Sequence, residues 1–342
     1  MLDGKRTKTE GRSHSTLDSR PIGRQILLSI LGQSYHERLA NRLALGAREL
    51  PAPLTIQVAD FLRKAQEADG GFHGREPGSD LYYTGFALRS LAILGQLNEP
   101  LCSRTAQFLL TQMGETLSLV DTFSLAYSGV LVALGGGPDI FASAPDWTET
   151  VVRRLLAHRN PDGGFAQKPG AKESSTYMSF LALLCFQILG KRWDDPASLI
   201  KFVNSREKND GGFAEHRGMT KSGTNPTAAG LAILKILDPS ILENKKEKLI
   251  SLFLERAASE GGFRANASIP FCDTLSTFTA LWSLEELGAL NRVDSVAVRN
   301  FVLGQLSNEG GFGGGSWDSH RDVEYTFYAL GALALLSAPL NP

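Results

Sequence analysis

The chain contains little cysteine, no excess of either charge and no long apolar run. Its three cysteines, Cys102, Cys185 and Cys272, lie far apart in 342 residues, which argues against a disulfide framework and favours a reducing compartment. A net charge of −1 gives no reason to expect a nucleic acid or an anionic membrane as a partner. No apolar run reaches the ~20 residues that span a bilayer. With 42% hydrophobic residues, the composition is typical of a folded protein, which we expect in the cytoplasm.

The two ends of the first fifty residues differ in character. Residues 1–20 are polar and basic and contain no hydrophobic segment of a secretory signal, so we expect a disordered tail there. Residues 21–50, which include "QILLSILGQSYHERLANRLALG", are predicted to form one or two extra helices that cover a face of the main domain. Residues 51–342 are predicted to be that domain.

A short step of two glycines and a phenylalanine recurs along the main domain, as in "NDGGF" and "PDGGF". The last four copies are about 50 residues apart and the first interval is about twice as long, so a degenerate copy is expected near Gly114. Six units of this length are typical of an array of helical hairpins. The phenylalanine of the step stands at Phe72, Phe165, Phe213, Phe263 and Phe312.

Each unit combines two kinds of helix around the step. An amphipathic segment such as "VRNFVLGQL" precedes the step, and a segment that is apolar on most sides, such as "YTGFALRSLAILG", follows it. The first glycine is suited to the left-handed conformation that ends a helix. Because the last unit ends directly after its apolar helix, without a polar capping repeat, the array is expected to close. The predicted fold class is all-α: an α/α toroid of six helical hairpins around a central cavity.

The period, the step and the pattern Asp-x-x-(Tyr/His)-Thr at the start of an inner helix resemble the β subunits of protein prenyltransferases, above all those of Rab geranylgeranyltransferase. Squalene and terpene cyclases share the same repeat. The resemblance covers about residues 54–337. It implies an isoprenoid diphosphate as substrate, transfer of the prenyl group, a zinc cofactor and a helical partner subunit, with a homodimer as the alternative assembly.

The zinc ligands of this family are only partly present. The resemblance aligns Asp273 with the family's aspartate, but Leu275 and Tyr325 stand where the family has cysteine and histidine. A displaced zinc site of Asp273, Cys272 and Asp322 would use suitable donor types. Alternatively, Asp273 and Asp322 cap the helices that they precede, which is a common use of aspartate.

Charged residues at the starts of the inner helices supply the other candidates. The predicted catalytic residues are Asp273, Glu324 and Tyr325; a carboxylate such as Glu324 is costly beside an apolar cavity unless it is paired or functional. Loop cations, together with the positive ends of the inner helices, would attract a diphosphate, although exposed loops commonly carry such residues. The predicted substrate-binding residues are Lys221, Arg264 and Arg75 for the diphosphate, and Tyr82, Tyr83, Tyr177, Phe278 and Tyr328 for the chain.

Three functions fit this pattern. The first is a prenyltransferase-like enzyme, which the aromatic wall and the loop cations favour. The second is a non-catalytic toroid that binds a lipid or a protein, which the missing zinc ligands favour. The third is a protonating terpene cyclase, but such enzymes use an Asp-rich acid motif. The only adjacent pair, Asp194 and Asp195, follows an inner helix and is therefore expected at the wrong end of the ring.

Overall fold

The computed structural model describes residues 34–337, and nearly all regular structure in this part of the chain is helical. The predicted tail (1–20), residues 21–33 and residues 338–342 lie outside the described residues. Two short antiparallel strands, β1 (Phe263–Arg264) and β2 (Cys272–Asp273), flank one loop. The helices are α1 (Tyr35–Ala47), α2 (Ala52–Lys64), α3 (Leu81–Ile93), α4 (Glu99–Gln112), α5 (Leu119–Leu134), α6 (Trp147–Ala157), α7 (Thr176–Ile188), α8 (Pro196–Asn204), α9 (Thr224–Leu237), α10 (Ser240–Glu243), α11 (Lys246–Arg256), α12 (Thr274–Glu286), α13 (Ser295–Leu303) and α14 (Val323–Ser337), with a 3₁₀ turn at Leu290–Arg292.

The apolar helices form a closed inner ring. Helices α3, α5, α7, α9, α12 and α14 each pack against the next, and α14 returns to pack against α3. The amphipathic helices α2, α4, α6, α8, α11 and α13 precede them in the six hairpins and form the outer ring. The predicted all-α fold, an α/α toroid of six helical hairpins, is confirmed.

The recurrent step joins the two rings. Its first glycine has a φ between 86° and 101° in all five complete copies. A Cβ atom at Gly261 would also lie 2.2 Å from the carbonyl oxygen of Ala297 in the next outer helix, so both conformation and space require glycine there. The buried phenylalanine amides donate, at 2.9 to 3.0 Å, to hydroxyls of the following inner helices: Thr84, Ser179, Thr227, Thr277 and Thr326.

Replacing Thr227 with valine should lower the free energy of unfolding by about 1–3 kcal/mol, because the buried amide of Phe213 would lose its acceptor. Thr227 Oγ1 accepts from Phe213 N at 2.9 Å and donates to the Gly223 carbonyl at 2.6 Å. Thr55→Val is the control, since its hydroxyl makes a solvent-exposed bond in α2. Denaturant unfolding of both variants measures the difference, and equal stabilities would contradict a role for the buried hydroxyl.

An ion-pair cluster joins the first and last units and closes the ring. Arg75, in the loop after the first step, donates from Nη2 to Asp318 at 2.6 Å and from Nε to Asp322 at 2.7 Å. The two aspartate side chains are 3% and 0% exposed. On the outer side, Gln57 of α2 donates to the Asn308 carbonyl at 2.8 Å. The two ends of the array are thus held by polar contacts as well as by helix packing.

Helix α1 lies within the predicted extra-helix region and covers one end of the ring. It packs against α14 and α3. Arg42 forms an ion pair with Glu285 near the end of α12, and Gly46 lies against the backbone of Ala334 in α14. This end is therefore the one formed by the carboxyl-terminal halves of the inner helices. No helix between residues 34 and 337 is long and apolar enough to cross a membrane.

Candidate functional site

The inner ring surrounds a cavity of about 610 Å³ on its axis. This volume lies within the roughly 300–1,000 Å³ that is usual for small-molecule sites. Its walls are mostly apolar and include aromatic rings from five of the six inner helices. These aromatic residues are Tyr82, Phe86, Phe123, Tyr127, Tyr177, Phe180, Phe278, Trp282, Phe327 and Tyr328.

Four of the five aromatic residues predicted to bind the chain, Tyr82, Tyr177, Phe278 and Tyr328, line this cavity. Tyr83 does not belong to the wall. Successive residues of an α-helix point about 100° apart, so when Tyr82 faces the axis its neighbour faces aside. The Tyr83 ring instead packs beside Gly74, where a Cβ atom would lie 2.2 Å from it.

The first turn of α1 also belongs to the cavity. The Tyr35 hydroxyl accepts a hydrogen bond from Trp282 Nε1 at 2.7 Å, and its ring lies 5.4 Å from that of Phe180. The His36 ring stacks on Phe123 at 5.5 Å. The sequence predicted that this segment covers a face of the domain, but it gave no sign that its side chains enter the ring.

Glu324 is the predicted catalytic residue that lines the cavity. It lies in the first turn of α14, half-buried, and accepts a hydrogen bond from the Tyr82 hydroxyl at 2.6 Å. Burial raises the pKa of Glu324, although the hydrogen bond from Tyr82 opposes this shift. The cavity therefore contains a carboxyl group that takes up a proton more readily than an exposed glutamate.

The two other predicted catalytic residues are engaged elsewhere. Asp273 caps α12, where it accepts from the Ser276 amide at 2.6 Å and from the Ser276 hydroxyl at 2.8 Å. The Tyr325 ring packs beneath Arg75, whose guanidinium lies 5.3 Å from the ring centroid. Burial raises the pKa of Asp273, although the hydrogen bonds from Ser276 tend to lower it. Burial also raises the pKa of Tyr325, to about 12.

The residues at the predicted metal site do not fit a zinc ion. Both carboxylate oxygens of Asp273 are used by the cap, and Asp322 accepts from the Tyr325 amide at 2.8 Å. Cys272 is a buried thiol, and this burial raises its pKa to about 12. Between residues 34 and 337 no group of three or more His, Cys, Asp or Glu residues could hold a metal ion. These residues therefore support no zinc-dependent step.

The predicted diphosphate ligands differ in their availability. Arg75 is not available, because its charge is balanced by Asp318 and Asp322 in the cluster that closes the ring. Lys221 is exposed, and within residues 34–337 its Nζ donates only to the hydroxyl of Ser268, at 2.6 Å. Arg264 donates to backbone carbonyls, including that of Glu255 at 2.8 Å. In the described part of the chain neither Lys221 nor Arg264 has a carboxylate partner, and both lie near the first turns of α9 and α12.

Arg89 is a cavity residue that the sequence analysis missed. It is the only charged residue of α3, and its guanidinium lies 4.1 Å from the Phe86 ring centroid and 4.7 Å from that of Phe327. Its Nε donates to the Gly85 carbonyl at 2.9 Å. In the described part of the chain no carboxylate forms an ion pair with it. The sequence feature that could have identified Arg89 is a single charged residue in an otherwise apolar helix.

Comparison with known proteins identifies related sequences. The family model for the prenyltransferase alpha-alpha toroid domain matches residues 39–341. The β subunit of geranylgeranyl transferase type-1 from Arabidopsis thaliana is 23% identical over 254 residues. That match covers 70% of this chain and 66% of the plant protein, so the chain spans just under two thirds of its relative's length.

Solved structures of low sequence identity share the fold. Candida albicans protein geranylgeranyltransferase-I, solved in complex with GGPP, has a TM-score of 0.61 at 18% identity, covering 82% of this chain and 90% of that chain. A type II terpene cyclase from Scytonema, in complex with geranylgeranyl dihydroxybenzoate, has a TM-score of 0.59 at 14% identity, covering 89% and 99%. At these identities the likeness concerns the fold alone.

Proposed function

The chain belongs to the prenyltransferase alpha-alpha toroid family, and from this premise we propose that it binds a prenyl diphosphate and transfers the prenyl group to an acceptor. The observation that carries the proposal is the cavity of about 610 Å³ with aromatic walls. Aromatic faces suit a branched hydrocarbon chain, and they also stabilise a developing carbocation. The Candida albicans relative, whose structure was solved with GGPP, supports the same substrate class.

The two ends of such a substrate would meet different parts of the site. The hydrocarbon would lie among Tyr82, Tyr177, Phe278 and Tyr328, which line the cavity. The diphosphate would remain at the rim, where Lys221 and Arg264 have no carboxylate partner in the described residues. Anions bind readily at helix amino-terminal ends, and α9 and α12 both begin there.

In the transfer, the bond between C1 and the diphosphate oxygen breaks and the diphosphate keeps the electron pair. The acceptor's nucleophilic atom forms the new bond to C1 and gives up a proton. We assign that proton to the Glu324 carboxylate, because a carboxylate of raised pKa is an efficient base near neutral pH. The Tyr82 hydroxyl, at 2.6 Å, would orient it.

A second candidate is proton-initiated cyclisation, and the same Glu324 favours it. A neutral carboxyl group in an aromatic cavity could add its proton to a carbon–carbon double bond, and the resulting cation would close a ring before it lost a proton. The Scytonema terpene cyclase shares the fold. The Asp194–Asp195 pair offers no acid for this step, since Asp195 caps the outer helix α8 and pairs with Arg159.

A non-catalytic, lipid-binding toroid is the function that remains if ligands bind without turnover. A helical partner subunit or a homodimer, and a cytoplasmic location, remain predictions that the family resemblance and the composition support. The mass of the purified native assembly tests whether the chain forms a homodimer or binds a partner subunit.

Titration of the purified protein with farnesyl diphosphate, geranylgeranyl diphosphate and geranylgeraniol should give micromolar or lower Kd values. Replacing both Lys221 and Arg264 with glutamine should weaken the binding of the two diphosphates roughly tenfold or more, because charge-assisted bonds would be lost. The affinity for geranylgeraniol should not change. Lys201→Gln, at an exposed position of the outer helix α8, is the control. If none of the three ligands binds at micromolar concentration, the proposed function is wrong.

A further inference from the structure

Arg89 places a positive charge at the middle depth of the cavity rather than at its rim. It follows the first residue of α3 by about two turns, or about 12 Å along the helix axis. Its guanidinium faces rings from three inner helices, since it also lies 5.9 Å from the ring centroids of Phe123 and Tyr127. A purely hydrocarbon ligand would gain nothing from a charge at this position.

The cost of this charge is only partly offset within the protein. Aromatic faces stabilise a cation above them only weakly, whereas removing even part of a charged group such as the half-buried Arg89 from water is costly. The Glu324 carboxyl forms its hydrogen bond with Tyr82; the charge of Arg89 tends to lower the pKa of Glu324, but the two side chains form no ion pair. Such a group is a candidate for ligand recognition, because an anionic ligand would supply the missing partner.

A second polar atom lies beside Arg89. His36 Nε2 is buried and has no hydrogen-bond partner among the described residues. Its ring lies 5.5 Å from Phe123 and 4.9 Å from Tyr127, the rings that also flank the Arg89 guanidinium. Burial, together with the charge of Arg89, lowers the pKa of His36 to about 3, so its imidazole is neutral and can donate from Nε2.

We propose that the ligand of this cavity carries a carboxylate as well as an isoprenoid chain, and that Arg89 and His36 bind this carboxylate. The inference rests on the proposed function, which places an isoprenoid in the cavity. One fixed positive charge matches a monoanion, and the planar guanidinium fits a carboxylate with two parallel bonds. A diphosphate carries more negative charge than Arg89 can balance, so we expect it to bind at the rim, near Lys221 and Arg264.

This assignment gives the two candidate reactions a common molecule. In the transfer reaction, an acceptor that bears a carboxylate would become a prenylated acid. In the cyclisation, a prenylated acid would be the substrate. Arg89 would hold the carboxylate in both cases, and the position of the chain relative to Glu324 would follow from that contact.

Binding of geranylgeranoic acid and geranylgeraniol at pH 7.5 tests the inference, since the two ligands share a chain and differ in charge. The protein should bind the acid about 10- to 100-fold more tightly than the alcohol, as expected for a charge-assisted contact. Arg89→Met should abolish this preference and change the affinity for the alcohol less than threefold. Arg292→Met, which removes an exposed pair with Glu247, should change neither affinity.

The possible results separate this inference from the proposed function. Equal binding of acid and alcohol by the unaltered protein, or an equal loss of both in Arg89→Met, would overturn the carboxylate site. Failure of the acid and the alcohol while the diphosphates bind would overturn the carboxylate site alone, whereas failure of all four ligands would overturn the proposed function itself. Palmitate that binds as tightly as geranylgeranoic acid would support the carboxylate site and contradict the isoprenoid. Should Arg89→Met fail to fold, Arg89→Lys, expected to keep only part of the preference, decides the question.

Discussion

Replacing Glu324 with glutamine should lower the turnover of prenyl diphosphate by about 10²- to 10⁴-fold, the range that a positioned acid or base contributes. Glutamine keeps the size of the side chain and an oxygen that can accept from the Tyr82 hydroxyl. The cavity should therefore stay intact, and the Kd for geranylgeraniol should change little. Release of diphosphate measures the rate. Glu309→Gln, at an exposed position of the last step, is the control.

The pH dependence of the rate distinguishes the two candidate reactions. Burial, the main influence, raises the pKa of Glu324, so its titration falls above the usual glutamate range. If Glu324 is the base of a prenyl transfer, the rate rises as pH increases through this pKa. If Glu324 is the acid of a cyclisation, the rate falls over the same interval. That rate is measured as the consumption of a prenylated acid. Either limb should be absent in Glu324→Gln; a profile that the substitution leaves unchanged would remove Glu324 from both mechanisms.

The fold could be predicted because its determinants are local and recur. Two glycines and a phenylalanine mark each turn, and the contrast between amphipathic and apolar helices assigns each segment to its ring. Closure of the ring was also predicted, and the packing of α14 against α3 confirms it. The hydroxyl that receives each phenylalanine amide belongs to the same repeat, for example Thr277 behind Phe263.

The site was less predictable because it depends on the direction of single side chains. Tyr82 and Tyr83 are neighbours of one type in the sequence, yet only Tyr82 lines the cavity. Glu324 and Arg89 are both charged residues in apolar helices, and only helix phase relative to the axis brings them into the cavity. His36 enters from outside the repeat, through the packing of α1, and no repeat pattern can show that.

Long-range partners distinguish Arg75 from the other two rim cations. Arg75 stands in a loop position like those of Lys221 and Arg264, so the three residues gave the same signal. Its carboxylate partners, Asp318 and Asp322, belong to the last unit and meet it only because the ring closes. The sequence separation of 243 residues in the first of these pairs hides the contact from any local pattern.

Replacing Arg75 with methionine should lower the free energy of unfolding by about 3 kcal/mol, near the lower end for breaking a buried ion pair. The lower end applies because the Arg75 side chain is 32% exposed, whereas those of Asp318 and Asp322 are 3% and 0% exposed. The loss arises mainly from the two buried carboxylates that remain without a partner. Arg63→Met, which removes an exposed pair with Asp60, should cost no more than about 1 kcal/mol.

The effect of Arg75→Met should depend on pH with a definite sign. Burial tends to raise the pKa of Asp318, but hydrogen bonds, including the one from Arg75, lower it overall. A lowered pKa stabilises the folded state above the usual aspartate pKa of about 4, and this stabilisation is lost as pH falls through the folded-state value. The difference in the free energy of unfolding between the unaltered protein and Arg75→Met should thus be complete at pH 7 and shrink below about pH 4.

A second substitution tests whether the unpaired carboxylates cause the loss. Asp322→Asn in the Arg75→Met background removes one buried charge, so the double variant should recover part of the lost stability. Denaturant unfolding at pH 7 measures all four proteins: the unaltered chain, Arg63→Met, Arg75→Met and the double variant. An Arg75→Met variant that is as stable as Arg63→Met, or a double variant less stable than Arg75→Met, would show that helix packing alone closes the ring. The recovery expected instead would show that this cation, at a position where a diphosphate ligand was predicted, stabilises the fold.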